Sequence, residues 1–476
     1  MKSLNYIAAG LLAVSLAGVA SAASAVRVSG SSAFRSAAVQ AEIAILSFDV
    51  TGAAAAPTMA TAKTDPTADA YSIIHGWLND VAHTEVTFIN NWTGSAAGVL
   101  DLASGNEGLN WVPVDGSGLS TVPMAVSPGT DLRTVVFSFQ TGAGTAPSVA
   151  FSDVAKTEIV KAVATQGSVG ATLGGKITTA GSKLKDGTTA GGPVAAATFK
   201  WVIGKNSVGQ PFTNITQQQA SALINNGSLA LNILTGNTAD ANDFVFFVGR
   251  NEDSGTRITY TAESQVTGLF GSPVTQWMLS QTTAGYPASP TYSSLSAELA
   301  NPINGLKIWP AGWAVNTIPT LAWPGAGHSG YNGGGDVVAV LTTNNPVTGF
   351  TKVANPDLPA AWIDGTSKAY FVSCLGTSDA KKVTDGGGFA LSYNGVSLTV
   401  ADRHEATNGI YSLYSLEHCY YLSSKATGIP TEALAPAGIV NALSDYISTE
   451  TAGQIGAAGV PEPLVGLRNG TGAFIQ

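Results

Sequence analysis

Residues 244–260 contain side chains that could bind an oxyanion. Arg250 follows an apolar run typical of a buried strand, and the turn Ser254-Gly255-Thr256 follows the arginine. A guanidinium presents a planar fork of donors that matches a phosphate-like group, and the two hydroxyls of the turn add donors. The residues after the turn can form a helix, whose first backbone N–H groups lack partners and whose dipole favours an anion. The stretch therefore predicts an anion-binding turn.

A structural interpretation of the same stretch stays open. Asp253 or Ser254 would serve as an ordinary helix N-cap. Arg250 would then form an ion pair that stabilises the fold. The choice between the two interpretations depends on what the rest of the chain supplies.

Three more stretches show the same succession of strand, small polar turn and helix. Residues 26–34 contain Gly30-Ser31-Ser32-Ala33, residues 92–98 contain Gly94-Ser95-Ala96, and residues 149–153 end in Ser152-Asp153. Apolar residues at helical spacing follow the first and third turns. Ligands of open α/β sheets bind at the carboxyl ends of the strands, so the four turns are expected to share one site.

Taken in order, the four stretches resemble the motifs of the phosphate-binding proteins of bacterial phosphate ABC importers, within the periplasmic substrate-binding protein superfamily. The resemblance implies capture of inorganic phosphate between two lobes, a membrane ABC permease as partner and no cofactor. It also implies phosphate-binding roles for a set of residues. They are Ser31, Ser32, Ala33, Ser95, Asp153, Arg250, Ser254, Gly255 and Thr256.

The resemblance places Asp153 where the family keeps a carboxylate, and this residue would set selectivity. At neutral pH phosphate still carries a proton, whereas sulfate carries none. A carboxylate only accepts hydrogen bonds, so it can bind the O–H of phosphate but repels sulfate. The structural alternative for Ser152-Asp153 is a plain helix cap.

Some residues depart from the family's pattern. Glu252-Asp253 stands where the family usually has Asp then Gly, which adds a side chain and a negative charge near the anion. Glu252 is also one methylene longer than the acid that pairs with the arginine, and Ala33 stands where a hydroxyl residue is common. Together with the long insertions, these departures support an alternative hypothesis. The chain would then be a surface or structural protein on the same fold, with reduced or lost anion binding and with self-association.

A phosphoesterase is the third hypothesis. The five histidines show no zinc-like spacing, and no Ser–His–Asp set is recognisable. We therefore expect a protein that is not an enzyme and that binds no metal.

Repeated strand–turn–helix units predict an α/β protein. The resemblance refines this to a two-lobed periplasmic-binding-protein fold, in which each lobe is a mainly parallel sheet flanked by helices and hinge crossovers join the lobes. Strands near residues 200 and 410 are expected to cross, so that lobe I comprises residues 26–200 plus 405–476 and lobe II residues 201–404. Further predictions are a helix at 71–81, inserted hairpins at 109–140, a flap or hairpin at 167–192 and a strand at 336–342.

Composition narrows the function classes. The chain has 476 residues, of which 45% are apolar and only 11% charged, with a net charge of −9. The charged fraction lies far below the roughly 25% of an average soluble domain and favours an exported protein. Nucleic-acid binding is not expected, because it needs a cationic surface.

Residues 1–25 have the pattern of a secretory signal peptide. Lys2 precedes an apolar run at residues 7–20, and small-residue cleavage sites end at Ala22 and Ala25. The run is too short to span a membrane, so the processed protein is not expected to cross one. With no cysteine at the new N-terminus, lipid anchoring is not expected either. The protein is therefore predicted to be exported to the periplasm or the cell surface.

Cys374 and Cys419 are the two cysteines of the chain. An oxidising compartment favours a disulfide between them. Two cysteines of a large domain can also be separate buried thiols, and both alternatives stay open.

Overall fold

The computed structural model describes a defined part of the chain. The described residues are 24–61, 71–106, 111, 146–164, 167–187, 192–251, 254–264, 274–279, 306–309, 327–331, 333–343, 347–353, 355–398, 410–423, 437–449 and 459–461. The predicted signal peptide up to residue 23 lies outside them, as do the predicted hairpins at 109–140 apart from Trp111.

Helices flank the sheet of the molecule. They are α1 Arg35–Ile45, α2 Ser95–Ser104, α3 Lys156–Ala164, α4 Gly167–Ala180, α5 Gln217–Asn226, α6 Asn232–Thr235, α7 Gly255–Glu263, α8 Gly334–Thr342, α9 Thr377–Asp385 and α10 Ala437–Thr449. Thr216 and Gln219 form a capping box at the start of α5.

Strands alternate with these helices along the chain. They are β1 Ser24–Gly30, β2 Thr58–Thr61, β3 Tyr71–Trp77, β4 Glu85–Asn91, β5 Val149–Ser152, β6 Leu184–Asp186, β7 Ala195–Ile203, β8 Asn214–Ile215, β9 Ser228–Ala230, β10 Phe244–Phe247, β11 Trp277–Leu279, β12 Leu306–Ile308, β13 Ala369–Gly376, β14 Phe389–Ala390, β15 Ser392–Tyr393, β16 Tyr414–Leu422 and β17 Gly459–Pro461.

A mixed sheet connects most of the strands in the described part of the chain. Its path is β2-β3-β4-β1-β5-β16-β7-β13-β10-β9, with β6 on β16 and with β14 and β17 on β7. Parallel pairs stand at its two centres, where β1 lies between β4 and β5 and where β10 pairs with β13. Antiparallel pairs form the edges and the join between the centres. The predicted α/β class is confirmed.

Strands β7 and β16 join the two halves of the sheet. The first half comprises β1–β6 with α1–α4 and α10, and the second half comprises β8–β10 and β13–β15 with α5–α9. β16 pairs with β5 of the first half and with β7, and β7 pairs with β13 of the second half. These are the strands predicted to cross near residues 200 and 410.

Apolar layers cover both faces of each half. In the first half, α1 and α10 pack on one face around Phe34 and Phe151, and α2–α4 pack on the other around Ile159. In the second half, α5 and α7 cover one face and α8 and α9 the other. Such burial on both faces is typical of parallel strands at a sheet centre. The strand ends are thereby fixed relative to one another.

Three predictions of local structure are wrong. Residues 71–77 form β3, because pairing with β2 and β4 on both sides outweighs a weak helical pattern. Residues 334–342 form α8, which buries Val337, Val340 and Leu341 on one helical face. A short apolar run fits a strand or a helix equally well until its packing is known. Residues 167–180 form α4 instead of a flap.

The cysteines are not paired. Cys374 on β13 and Cys419 on β16 are both free and buried, and they pack in different apolar clusters. The disulfide alternative is therefore wrong, and separate buried thiols are what the fold contains. Burial raises the pKa of both thiols, to about 12 for Cys419, so neither is a reactive thiolate at neutral pH.

Among the described residues, no helix is both long and apolar enough to span a membrane. The same residues hold no cluster of three or more His, Cys, Asp or Glu side chains arranged as a metal site.

Strand β1 sharpens the prediction for the N-terminus. Ser24 and Ala25 already pair with Val86 and Thr87 of β4. Cleavage after Ala25 would delete both pairs, whereas cleavage after Ala22 leaves β1 whole. If the signal-peptide prediction is right, we expect the processed protein to begin at Ala23, and intact-mass measurement checks this. A mass that retains Met1, or one that begins at Val26, would contradict the prediction.

Candidate anion-binding site

The turn after β1 leaves two backbone donors at the end of its strand. Gly30 has a φ of +113°, and a Cβ there would collide with the carbonyl oxygen of Phe151, so only glycine fits. The N–H of Ser31 donates to that oxygen at 2.8 Å, and Ser31 Oγ accepts from the N–H of Phe34 at 3.2 Å. Among the described residues, no backbone carbonyl oxygen accepts from the N–H groups of Ser32 and Ala33. Ser31 therefore shapes the turn, and the next two residues offer the donors.

The start of α2 is locked against this first turn. The N–H of Gly94 donates to the carbonyl oxygen of Gly30 at 2.8 Å, and a Cβ at Gly98 would collide with Cα of Gly30. The hydroxyls of Ser29 and Thr93 share a hydrogen bond of 2.8 Å. The helix N-terminus thus opens beside the turn after β1, and Ser95 is its first residue.

Asp153 lies fully buried just after β5. Its Oδ1 accepts a hydrogen bond from Ser95 Oγ, and its Oδ2 has no partner among the described residues. Burial raises the pKa of Asp153 to about 6, while the Ser95 hydrogen bond and the charge of Arg250 pull that pKa down. Asp153 is therefore mostly ionised at neutral pH, with a free acceptor oxygen.

Helix α3 does not use Asp153 as its cap. The N–H of Ala155 donates to Glu158 Oε2 at 3.2 Å, and the N–H of Val154 donates to Ser152 Oγ at 3.3 Å. Ser152 and Glu158 thus satisfy the donors ahead of the helix. Asp153 accepts from Ser95 instead.

Arg250 reaches from the second half of the sheet to the first. Its side chain is buried, its Nη1 donates to Ser32 Oγ at 3.4 Å, and its Nε donates to the carbonyl oxygen of Tyr331 at 3.3 Å. Gln276 and Arg257 both donate to the carbonyl oxygen of Arg250, at 3.0 and 3.3 Å. The backbone of this arginine is therefore fixed, which holds the guanidinium at the turn after β1.

Helix α7 begins in contact with the first half. Ser254 is its N-cap and accepts from the N–H of Arg257 at 3.4 Å, while Asp253 lies outside the described residues. A Cβ at Gly255 would collide with Oδ1 of Asp153 and with Oγ of Ser95. The first N–H groups of α7 therefore open beside those two side chains. Thr256 follows, buried in the first turn.

Most of the predicted site residues thus come together. Ser32 meets Arg250, and Ser95, Asp153 and Gly255 meet one another. Ser31 and Ser254 act as caps of their own turns. Ala33 lies in contact with Gly376, since a Cβ at Gly376 would be 3.0 Å from Cβ of Ala33.

Sequence reasoning missed the start of α9 and its carboxylate, Asp379. A Cβ at Gly334, the first residue of α8, would collide with Oδ2 of Asp379 and lie 3.7 Å from Nη1 of Arg250. Oδ1 of Asp379 accepts from Lys382 Nζ at 2.8 Å. Glu252 is the acid expected beside Arg250 from the motif, but it lies outside the described residues. The sequence does contain a signal for this helix start. Gly376-Thr377 is a small-residue turn between the buried strand β13 and α9, like the four turns named above.

The arrangement suits a tetrahedral oxyanion that carries a proton. The N-termini of α2, α7, α8 and α9 open around Arg250 and the turn after β1, and each contributes N–H donors and a positive dipole end. Asp153 adds one acceptor for an O–H group.

No family model matches the chain, and no curated protein matches it. Some solved structures are similar to the chain, at low sequence identity and with low TM-scores. A proposed phosphate ABC transporter substrate-binding protein with bound phosphate from Clostridium perfringens is 13% identical, with 92% of this chain and 100% of that chain covered and a TM-score of 0.39. PstS from Borrelia burgdorferi is 13% identical, with coverages of 92% and 99% and a TM-score of 0.32. The phosphate binding protein from Stenotrophomonas maltophilia is 14% identical, with coverages of 84% and 79% and a TM-score of 0.32.

The contact at Gly255 predicts that substitution by alanine destabilises the fold there but not at Gly335. Gly255→Ala places a methyl group against Asp153 and Ser95, and such overpacking lowers the free energy of unfolding by about 1–3 kcal/mol. Gly335→Ala is the control, because its Cβ meets nothing within 4 Å in the first turn of α8. That control should gain up to about 1 kcal/mol from helix propensity. Denaturant unfolding measures both, and equal stability of the two variants would contradict the geometry.

Proposed function

We propose that the protein is an exported solute-binding protein that captures inorganic phosphate between two lobes for a membrane ABC permease. The proposed lobes are residues 26–200 plus 405–476 and residues 201–404. One observation carries the proposal. Arg250 with α7 from one half of the sheet meets Ser32, Ser95 and Asp153 from the other, at a place where helix N-termini converge.

The donor set favours phosphate over other small ligands. Arg250 would supply a charge-assisted pair of hydrogen bonds. The backbone of Ser32 and Ala33, the first turns of α2 and α7, and the hydroxyl of Thr256 would supply neutral donors, while the hydroxyl of Ser95 donates to Asp153 and holds that carboxylate in place. An acidic chain can hold an anion in this way, because nearby N–H dipoles outweigh distant charge in a water-poor cleft.

Capture would require the halves to separate and close. Each half holds part of the donor set, and β7 and β16 are the strands through which they connect. Closure around the anion would exclude water and strengthen each hydrogen bond. Delivery to a permease and residence in the periplasm or at the cell surface follow from the motif resemblance and from the signal-peptide pattern of residues 1–25.

Calorimetric titration of the processed protein with phosphate tests the proposal, with sulfate as the matched anion. We expect saturable binding of one phosphate per chain and no binding of sulfate at pH 7.5. Absence of phosphate binding, together with concentration-dependent assembly in gel filtration, would instead support a surface or structural protein on this fold.

Arg250→Ala should remove most of the affinity for phosphate. A hydrogen bond to a charged group contributes roughly 1.5–3 kcal/mol net, so the dissociation constant should rise about tenfold to a hundredfold or more. Arg250→Lys keeps the charge but loses the fork, and it should give an intermediate value. Lys381→Ala, which removes an exposed cation of the same half, should leave affinity unchanged. An unchanged dissociation constant in Arg250→Ala would count against this site.

Asp153→Asn should lose discrimination between phosphate and sulfate. The amide keeps the shape but replaces one acceptor oxygen with a donor, so sulfate is no longer repelled. Because the pKa of Asp153 is about 6, the wild type should itself begin to admit sulfate as the pH falls below that value, when the carboxyl group becomes a donor. The Asn variant should bind sulfate equally from pH 5 to 8. Titrations with both anions check this, and a variant that still rejects sulfate would remove Asp153 from the site.

A further inference from the structure

Glu417 is a buried carboxyl group that is not among the candidate residues of the anion site. It lies on the joining strand β16, is 0% exposed, and neither of its carboxyl oxygens has a hydrogen-bond partner among the described residues. Burying a polar group without a partner is costly. A bound ligand that forms a hydrogen bond with the carboxyl group of Glu417 would remove this cost.

The strand register brings Glu417 to Asp153. β16 pairs antiparallel with β5 through His418 and Ser152, and the same register continued by one residue sets Glu417 opposite Asp153. This pair lies just beyond the end of the ladder, and the charge of Asp153 acts on Glu417 and raises its pKa, so the two carboxyl groups lie close together. Oδ2 of Asp153 also has no partner among the described residues. Two carboxyl groups with unpaired oxygens therefore stand side by side at the anion site.

The two groups differ in charge. Burial first, and then the charge of Asp153, raise the pKa of Glu417 well above its ordinary value. Asp153 is held ionised at neutral pH by Ser95 and Arg250, and the pKa of Glu417 has no comparable lowering cause. A neutral carboxyl group is a hydrogen-bond donor, whereas an ionised one only accepts.

We propose that Glu417 is a second carboxyl group of the anion site, which stays protonated and donates a hydrogen bond to an oxygen of the bound anion. This inference rests on the proposed function, because it assigns the same site one more donor. Asp153 accepts the proton of the ligand while Glu417 donates its own to an unprotonated ligand oxygen. The pair thus fits a tetrahedral oxyanion that presents both O–H and O⁻, and it adds a donor without adding a negative charge.

Two substitutions separate this role from a structural one, with inorganic phosphate as the titrant at pH 7. Glu417→Gln keeps a neutral donor, and its dissociation constant should stay within about threefold of the wild type. Glu417→Met keeps the length but removes the donor, and affinity should fall about tenfold to a hundredfold. The Met variant should unfold at the same or a higher temperature, since it removes an unpartnered polar group.

Glu42→Gln is the matched control, because Glu42 is also fully buried in the first half but already accepts from Asn90 at 2.7 Å. Its affinity should equal that of the wild type. An unchanged affinity in Glu417→Met would overturn the inference, and so would a Gln variant that binds more than about tenfold tighter, since that shows an ionised Glu417 in the wild type. If the Met variant does not fold, the Gln variant still decides the charge state. A wild type that binds no phosphate would instead refute the proposed function, which is a separate result.

Discussion

The contact of Gly255 with Asp153 and Ser95 constrains everything else at the candidate site. It lets the N-terminus of α7 reach the N-terminus of α2, and no residue with a side chain can stand there without displacing the carboxylate. At this contact the second half supplies only backbone, and the first half supplies two short polar side chains. The helix N-termini therefore present many N–H donors with few bulky side chains between them, which suits a small oxyanion.

Few charged side chains lie around this contact, and each has a defined environment. Arg250 is buried and anchored by backbone carbonyl and hydroxyl groups, and Asp379 lies beside the helix start next to it. Burial raises the pKa of Asp153 only to about 6 because Ser95 and Arg250 partly offset it, whereas the pKa of Glu417 has no such lowering cause. A buried group ionises only where neighbours compensate the loss of water, so position decides which carboxyl accepts and which donates.

The joining strands connect this chemistry to the architecture. β16 carries Glu417 and pairs with both β5 and β7, so the strand that links the halves also lines the site. The anchoring of Arg250 by Tyr331, Gln276 and Arg257 fixes the opposite side in the same way. Binding energy at the site would therefore act directly on the relative position of the halves.

The sequence alone determined the α/β class and the four turns that end strands and begin helices, because a local pattern marks each of them. It could not decide residues 71–77 or 334–342, whose short apolar runs fit either structure until their neighbours are known. Asp379 beside Arg250 and Glu417 opposite Asp153 were decided by the tertiary structure alone. Both pairs join residues more than a hundred positions apart in the chain. No local pattern records such a meeting, since sheet register and helix packing create it.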